Sequence, residues 1–206
     1  MKKIIFLFII ATSLTIFGQS STDDLRPYRL GLKMGVPNTA SLEFEYVTPL
    51  LHNHMSLFVN YTGGKVTVDQ VNANLNTFEI GSNIYFAKNR EGRGLYGALS
   101  YQNVDAKLSI EDYEAEDGTI YDGNAKTEVS YSGLNVKLGA KLGRKFFFRT
   151  EIGYSFGEIP KEIFVEGTFE GEPISETTSI EDEIDDISII SQNGLPIFNI
   201  GFGFSF

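Results

Sequence analysis

The chain has 206 residues and a formal net charge of -10, with 27 acidic side chains against 17 basic ones. This balance argues against nucleic acid as a partner, because phosphate binding needs a basic surface. The chain contains no cysteine, which excludes disulfides, thiol catalysis and a lipid anchor attached through an acylated cysteine.

The N-terminal residues have the pattern of a secretory signal. Two lysines precede an apolar run over residues 4–17, and Gly18 is followed by small or polar residues suited to cleavage. The run is too short and wrongly flanked for a stable transmembrane helix, so we expect residues 1–18 to be removed on export. Residues 19–28 then form a short segment ahead of the first strand.

From residue 29 onward, eight segments alternate large apolar side chains with small or polar ones. This period of two is typical of strands with one apolar and one polar face. In chain order the segments are Arg29–Val36, Ser41–Val47, Met55–Tyr61, Thr77–Ala87, Leu95–Val104, Ser132–Leu142, Phe146–Phe156 and Phe198–Phe206. The fifth is the least regular, since Leu95, Leu99 and Tyr101 favour one face while Tyr96 and Ala98 favour the other.

The connections between these segments differ in length. Four are short, at residues 37–40, 48–54, 88–94 and 143–145, and three are long, at residues 63–76, 105–126 and 157–194. Most of the acidic side chains fall within the last two long connections. Transmembrane barrels have short periplasmic turns and longer outward loops. We therefore expect acidic extracellular loops at 105–126 and 157–194, which could contact a surface partner.

The second acidic loop has two further features. Residues 162–170 alternate imperfectly and predict a ribbon that extends the seventh strand and returns through Ile184–Ile190; a mobile loop is the alternative. An open edge on such a ribbon could add a strand from a partner protein. An acidic run in the same loop offers carboxylate oxygens to a divalent cation, but it lacks the glycine-turned spacing of a dedicated site. It consists of Glu181, Asp182, Glu183, Asp185 and Asp186.

The terminal strand is the most specific element of the sequence. Phe202, Phe204 and Phe206 alternate with small residues. Such an aromatic strand at a sheet edge would invite aggregation, whereas a closed barrel in a bilayer has no edge and needs an apolar outward face. Together with the signal and the alternating strands, it resembles the small outer-membrane β-barrels of the OmpA/OmpX type. The three phenylalanines are similar to the signal read by the barrel-assembly machinery.

This resemblance covers the whole mature chain, residues 19–206, in pattern. It implies an all-β, eight-stranded, antiparallel, up-and-down transmembrane β-barrel in the outer membrane of a Gram-negative bacterium. The implied protein is a monomer in contact with outer-membrane lipid, with residues 19–28 in the periplasm. In one respect we expect a departure from the family, since no peptidoglycan-binding domain is expected after the barrel, and that role is not carried over. We expect a non-enzymatic protein, without cofactor or bound metal, in a structural or surface-interaction role.

The polar faces of the predicted strands carry charges of both signs in equal number. An eight-stranded barrel is only wide enough to be filled by its own side chains. We therefore predict a salt-bridged plug that closes the lumen, with a proton or ion path as the alternative, because charges inside membrane proteins can mark one. The predicted network comprises Lys33, Lys137, Lys141 and Arg149 against Glu43, Glu45, Glu79 and Glu151.

Two other functions use the same strand pattern. A lipid-modifying outer-membrane enzyme would need a positioned nucleophile and base, yet the two histidines, His52 and His54, lie in a predicted periplasmic turn. A soluble, lipocalin-like extracytoplasmic barrel would bind an apolar ligand and would have the faces reversed, with the apolar side chains inward.

Overall fold

The computed structural model describes residues 25–37, 39–68, 71–87, 92–114, 120–160, 162–169, 172–179 and 194–206. The predicted signal peptide and the acidic run at residues 181–186 lie outside these residues. Within these residues the chain forms ten strands: β1 (Tyr28–Val36), β2 (Ala40–Thr48), β3 (Met55–Val68), β4 (Val71–Tyr85), β5 (Gly94–Glu114), β6 (Ile120–Gly143), β7 (Phe146–Phe156), β8 (Glu162–Phe169), β9 (Glu172–Ser179) and β10 (Gly194–Ser205). Within the described chain, no helix is long and apolar enough to cross a membrane.

Eight of the strands close into an antiparallel barrel. Each of β1 to β6 pairs with the next strand, β7 pairs with β10, and β10 pairs back with β1. The two ends of the barrel sheet meet through the amide of Tyr28, which donates to the carbonyl of Phe206 at 3.1 Å, and through the reverse bond at 2.9 Å. The predicted eight-stranded up-and-down barrel is confirmed, with the β8–β9 hairpin inserted between β7 and β10.

The two faces of the barrel wall differ sharply in polarity. On β5, Leu99 and Tyr101 point outward and are more than half exposed, whereas Tyr96 and Ser100 point inward and are buried. The other barrel strands show the same alternation, with large apolar side chains outward and polar ones inward. Lipid requires this arrangement in a spanning barrel, and it is the reverse of the apolar lumen expected of the lipocalin-like alternative.

Four barrel strands run further than the alternation predicted. β3 and β4 stay paired from Met55 opposite Ile84 to Val68 opposite Val71, so most of the predicted loop at 63–76 is strand. β5 and β6 stay paired through most of the predicted loop at 105–126. Glycine and asparagine in these stretches favoured loops, but each strand has an antiparallel neighbour, and that neighbour supplies the backbone hydrogen bonds whatever the side chains are.

The predicted ribbon in the loop at 157–194 forms with a different partner. β8 pairs with β6, through Gly123–Thr127, rather than extending β7, and it returns through β9. The reason is geometric: β7 ends at Phe156, whereas β6 continues past this point and leaves an unpaired edge that β8 occupies. The return through Ile184–Ile190 was wrong, since β9 is the return strand; residues 184–190 lie outside the described residues.

Beyond the barrel the long strands continue as a single curved sheet, which we call the distal sheet. It consists of residues 62–68 of β3, 71–77 of β4, 104–114 of β5 and 120–131 of β6, together with β8 and β9. The polarity of the two faces is exchanged there. Along β5 the outward series changes from Leu99 to Lys107, and the inward series changes from Gln102 to Ala106 and Leu108.

Candidate functional site

The barrel lumen holds a cluster of charged side chains, which we call the plug. Among the described residues, nine charged side chains are buried, each with 3% or less of its surface exposed. Five are cations and four are carboxylates, so the plug carries one excess positive charge if all are ionised. The members are Arg29 and Lys33 on β1, Glu43 and Glu45 on β2, Glu79 on β4, Lys137 and Lys141 on β6, and Arg149 and Glu151 on β7.

One half of the plug is organised around Glu45. Arg29 Nη1 donates to Glu45 Oε1 at 2.8 Å. Lys141 and Arg149 both donate to the other oxygen, Oε2. The last two contacts cross the lumen, because β2 is not a neighbour of β6 or β7 in the barrel. A single carboxylate therefore joins three cations and ties opposite walls together.

The other half is organised around Glu79 and Glu151. Lys137 Nζ lies 2.5 Å from Glu79 Oε1 and 3.8 Å from Glu151 Oε2. Lys33 Nζ lies 3.2 Å from Glu151 Oε2 and 3.1 Å from Glu43 Oε2. Arg149 contacts Glu43 as well as Glu45, so the two halves form one connected network.

Amide and hydroxyl groups satisfy the remaining carboxylate oxygens. Asn60 Nδ2 donates to Glu79 Oε2 at 2.6 Å, and Ser100 and Asn135 donate to Glu79 Oε1 at 2.5 and 3.1 Å. Asn199 Nδ2 donates to Glu151 Oε2 at 3.1 Å. Such donors matter because the attraction between buried charges offsets their loss of hydration only when their other lone pairs are also satisfied.

Aromatic rings fill the space between the charges. The hydroxyl of Tyr85 donates to Glu45 Oε1 and that of Tyr96 to Glu151 Oε1, both at 2.7 Å. The ring of Phe58 lies under two cations, with its centroid 4.9 Å from Lys137 Nζ and 5.4 Å from Lys33 Nζ. Cations are attracted to the faces of aromatic rings, most strongly where water is excluded.

Glycine on the inward faces makes room for these rings. A Cβ added at Gly139 would lie 2.4 Å from the Tyr96 ring, and one added at Gly203 would lie 2.5 Å from the Phe147 ring. Both distances are shorter than carbon atoms tolerate. The lumen is thus filled by alternating large side chains and bare backbone, which is how a small barrel reaches close packing.

The structure brings together all eight charged residues of the predicted network. The sequence analysis did not include a ninth, Arg29. It could have been found, because Arg29 lies two and four residues from Gly31 and Lys33 and therefore on the same face of the first predicted strand. The inward aromatic residues Tyr85 and Phe147 were also not predicted. The residues on either side of each are apolar and face outward, so the lumen-facing position between them was not expected to be aromatic.

The other predicted site residues lie elsewhere. Phe202, Phe204 and Phe206 are on the outward face of the terminal strand and its end, each about half exposed. The ring nitrogens of His54 lie 2.9 to 3.0 Å from the backbone carbonyls of Leu51, His52 and Ala87, so the ring holds the β2–β3 turn. Over the residues that the structure describes, no group of three histidine or acidic side chains is placed to hold a metal ion.

The fold and the plug define a class: a closed, eight-stranded antiparallel barrel with an apolar outward face and a filled polar lumen. Among solved structures, the chain is similar to CarO of Acinetobacter baumannii, at 14% identity over 90% of this chain and 100% of that chain, with a TM-score of 0.50. It is also similar to CarO2 of the same organism, at 15% identity over 89% of this chain and 100% of that chain, with a TM-score of 0.48. The likeness to CarO concerns the fold. No family model and no curated protein matches the chain.

Proposed function

We propose that this protein is an outer-membrane barrel of the OmpA/OmpX type with a closed lumen, and that its role is structural or surface-interacting rather than catalytic. The outward apolar face supports the membrane location, because so large an exposed apolar surface is unfavourable in water and favourable against lipid. The plug is the observation that supports a closed lumen, because its contacts join opposite walls and its nine charged side chains are shielded from water.

The distal sheet supports the surface-interaction part of this role. The β8–β9 hairpin exposes four glutamates, Glu162, Glu166, Glu172 and Glu176. Acidic side chains at this end of the barrel suit a cationic partner surface or divalent cations shared with anionic lipid headgroups.

A closed lumen predicts that the purified protein does not conduct ions. Planar bilayers containing the protein should show no steady single-channel current, because a permeating ion would have to displace a buried, mutually paired charge. A general porin inserted into the same membranes is the control for detection. Steady, voltage-independent current steps that scale with the amount of protein would contradict the plug and favour the ion-path alternative.

We also propose that Phe206 acts with Phe202 and Phe204 as the surface recognised during barrel assembly. Phe206→Asp should reduce the amount of protein in the outer-membrane fraction at least about tenfold, because a charge would replace an exposed ring on the lipid-facing edge of the closing strand. The measurement is the heat-dependent mobility shift of that fraction on a detergent gel, with Phe206→Leu as the matched control. Equal yields for the two variants would rule out this role for Phe206.

A further inference from the structure

From β4 to β8 the inner face of the distal sheet is largely apolar, although the inner face of the barrel directly below it is polar. On β9 this apolar face ends, because Glu176 lies opposite Val165. We call this surface the inner wall. Its described members are half-buried and come from four neighbouring strands: Ala73, Leu75, Val104, Ala106, Leu108, Val129, Ile163 and Val165. The outer face at the same height is polar, with Lys107 paired to Glu128 at 2.5 Å and Ser130 donating to Asp105 at 2.8 Å.

The strand register shows how abrupt the change is. One row across β3 to β6 is Asn60, Glu79, Gln102 and Gly133, and the next is Thr62, Thr77, Val104 and Tyr131. Beyond these rows, Leu75 lies opposite Ala106, which lies opposite Val129. Over two rows of paired residues, the inner surface therefore changes from charged to aliphatic. The row between them contains Thr62 and Thr77, and we call it the threonine row.

No second layer covers the inner wall within the described chain. The described strands make their extensive contacts with the strands to which they are hydrogen-bonded, so the distal sheet is a single curved layer. An apolar face of this kind, adjoining the lipid-facing barrel at one end of the molecule, is a surface that apolar ligands fit.

The threonine row adds a polar requirement to this apolar surface. Thr62 and Thr77 lie opposite each other and are buried, with 5% and 2% of their surfaces exposed. Neither hydroxyl has a hydrogen-bond partner, and the same holds for the hydroxyl of Thr127 on the wall itself. Buried hydroxyl groups without partners are unfavourable, so a ligand that bonded to them would gain affinity from it.

The carboxylate of Glu79, on the same face of β4 as Thr77, limits the kind of polar group that fits. Glu79 lies two residues from Thr77 and already accepts from Lys137, Asn60, Ser100 and Asn135. An anionic group beside Glu79 would be repelled, and an ammonium group would have to compete with those four donors. A neutral hydroxyl group can both donate to and accept from the threonines without disturbing this carboxylate.

We infer that the inner wall binds a single-chain amphiphile with a neutral, hydroxyl-bearing head, such as a monoacylglycerol. Its head contacts Thr62 and Thr77 at the base of the distal sheet, and its aliphatic chain lies along Leu75, Ala106 and Leu108. The plug closes the barrel below, so this is a blind binding site and not a transport path.

The sequence allows a direct test because it contains no tryptophan, so that one introduced tryptophan is the sole reporter. The reporter variant is Leu108→Trp on the wall, with Val129→Trp as a second variant in case the first does not fold. Ser109→Trp, on the opposite face of the same strand, is the matched control. Leu99→Trp on the lipid-facing barrel reports simple partition of the probe into the membrane. Each variant is reconstituted in phosphatidylcholine vesicles.

The probe is a monoacylglycerol whose acyl chain carries a terminal bromine, which quenches tryptophan on contact. We expect saturable quenching of Leu108→Trp, no quenching of Ser109→Trp, and linear, non-saturating quenching of Leu99→Trp. Adding Thr62→Val and Thr77→Val to the wall reporter should raise the half-saturating concentration about tenfold, because the head loses its hydrogen bonds. The fatty acid with the same brominated chain should bind more weakly than the monoacylglycerol.

Three outcomes would overturn the inference. Equal quenching of Leu108→Trp and Ser109→Trp would show that the wall is not a distinct site. Equal binding of the fatty acid would remove the neutral-head requirement. Blue-shifted emission of both wall reporters that the probe leaves unchanged would show that the protein's own residues already cover the wall.

Discussion

Replacing Glu45 by glutamine should lower the free energy of unfolding by about 3 to 5 kcal/mol, the cost typical of removing one partner from a buried ion pair. The substitution keeps the size of the side chain but removes the charge that Arg29, Lys141 and Arg149 share. The plug already holds five cations against four carboxylates. Arg29 and Lys141 would lose the carboxylate that pairs with them, while Arg149 would keep its contact with Glu43. The hydroxyl of Tyr85 would also lose its charged acceptor.

The folded fraction of Glu45→Gln can be measured as the fast-migrating, unboiled band after urea titration in phosphatidylcholine vesicles. Glu128→Gln is the control, because the Lys107–Glu128 pair is also close but well exposed, with side chains 58% and 68% accessible. Exposed pairs typically contribute less than about 1 kcal/mol. Similar urea midpoints for the two variants would mean that water reaches Glu45 and that the lumen is not closed.

A second substitution separates loss of pairing from loss of packing. Adding Lys141→Met to Glu45→Gln removes one of the uncompensated cations while preserving an unbranched side chain. If repulsion among stranded cations causes the destabilisation, the double variant should be more stable than Glu45→Gln alone. A strictly additive loss would assign the effect to packing around Glu45.

The barrel itself was predictable because its two faces impose a strict period of two. Lipid selects large apolar side chains at every outward position, and the narrow lumen selects polar or small ones at every inward position. Parity alone therefore placed Lys33, Glu79 and Arg149 on one surface. The same rule applied consistently would have included Arg29.

Which charges pair across the lumen could not be read from parity. The contact between Lys141 and Glu45 depends on the stagger of β6 relative to β2, and that stagger is a property of the closed barrel rather than of either strand. The position of β8 is of the same kind, since its pairing with β6 joins residues far apart in sequence and depends on β7 ending early.

The distal sheet was not predicted because of the residue types at its outward positions. Alternation continues through residues 72–76, where Asn72, Asn74 and Asn76 alternate with Ala73 and Leu75. The faces are exchanged relative to the barrel, however, and the polar positions carry asparagine, which favours turns. None of the outward positions in this stretch is apolar, so a pattern based on apolar outward residues ends before it. The alternation itself continues with the apolar residues on the inward positions, and it therefore indicates a longer strand.

This exchange of faces gives a prediction that locates the membrane on the barrel wall. Ile80 and Asn76 lie on the same outward face of β4, four residues or about 13 Å apart. Ile80 is 51% exposed within the apolar band, whereas Asn76 lies in the distal sheet opposite Asp105 on β5. Ile80→Arg should destabilise the barrel in vesicles by about 2 to 4 kcal/mol, the cost of an arginine near the bilayer midplane.

Asn76→Arg is the matched control and should have little effect, because the new guanidinium lies in water beside the carboxylate of Asp105. Both variants are compared by urea titration in phosphatidylcholine vesicles. If Ile80→Arg were tolerated as well as Asn76→Arg, the outward face would not be in contact with lipid, and the apolar surface would need a protein partner instead. A loss confined to Ile80→Arg places the membrane boundary between these two positions, where the polarity of the wall is exchanged.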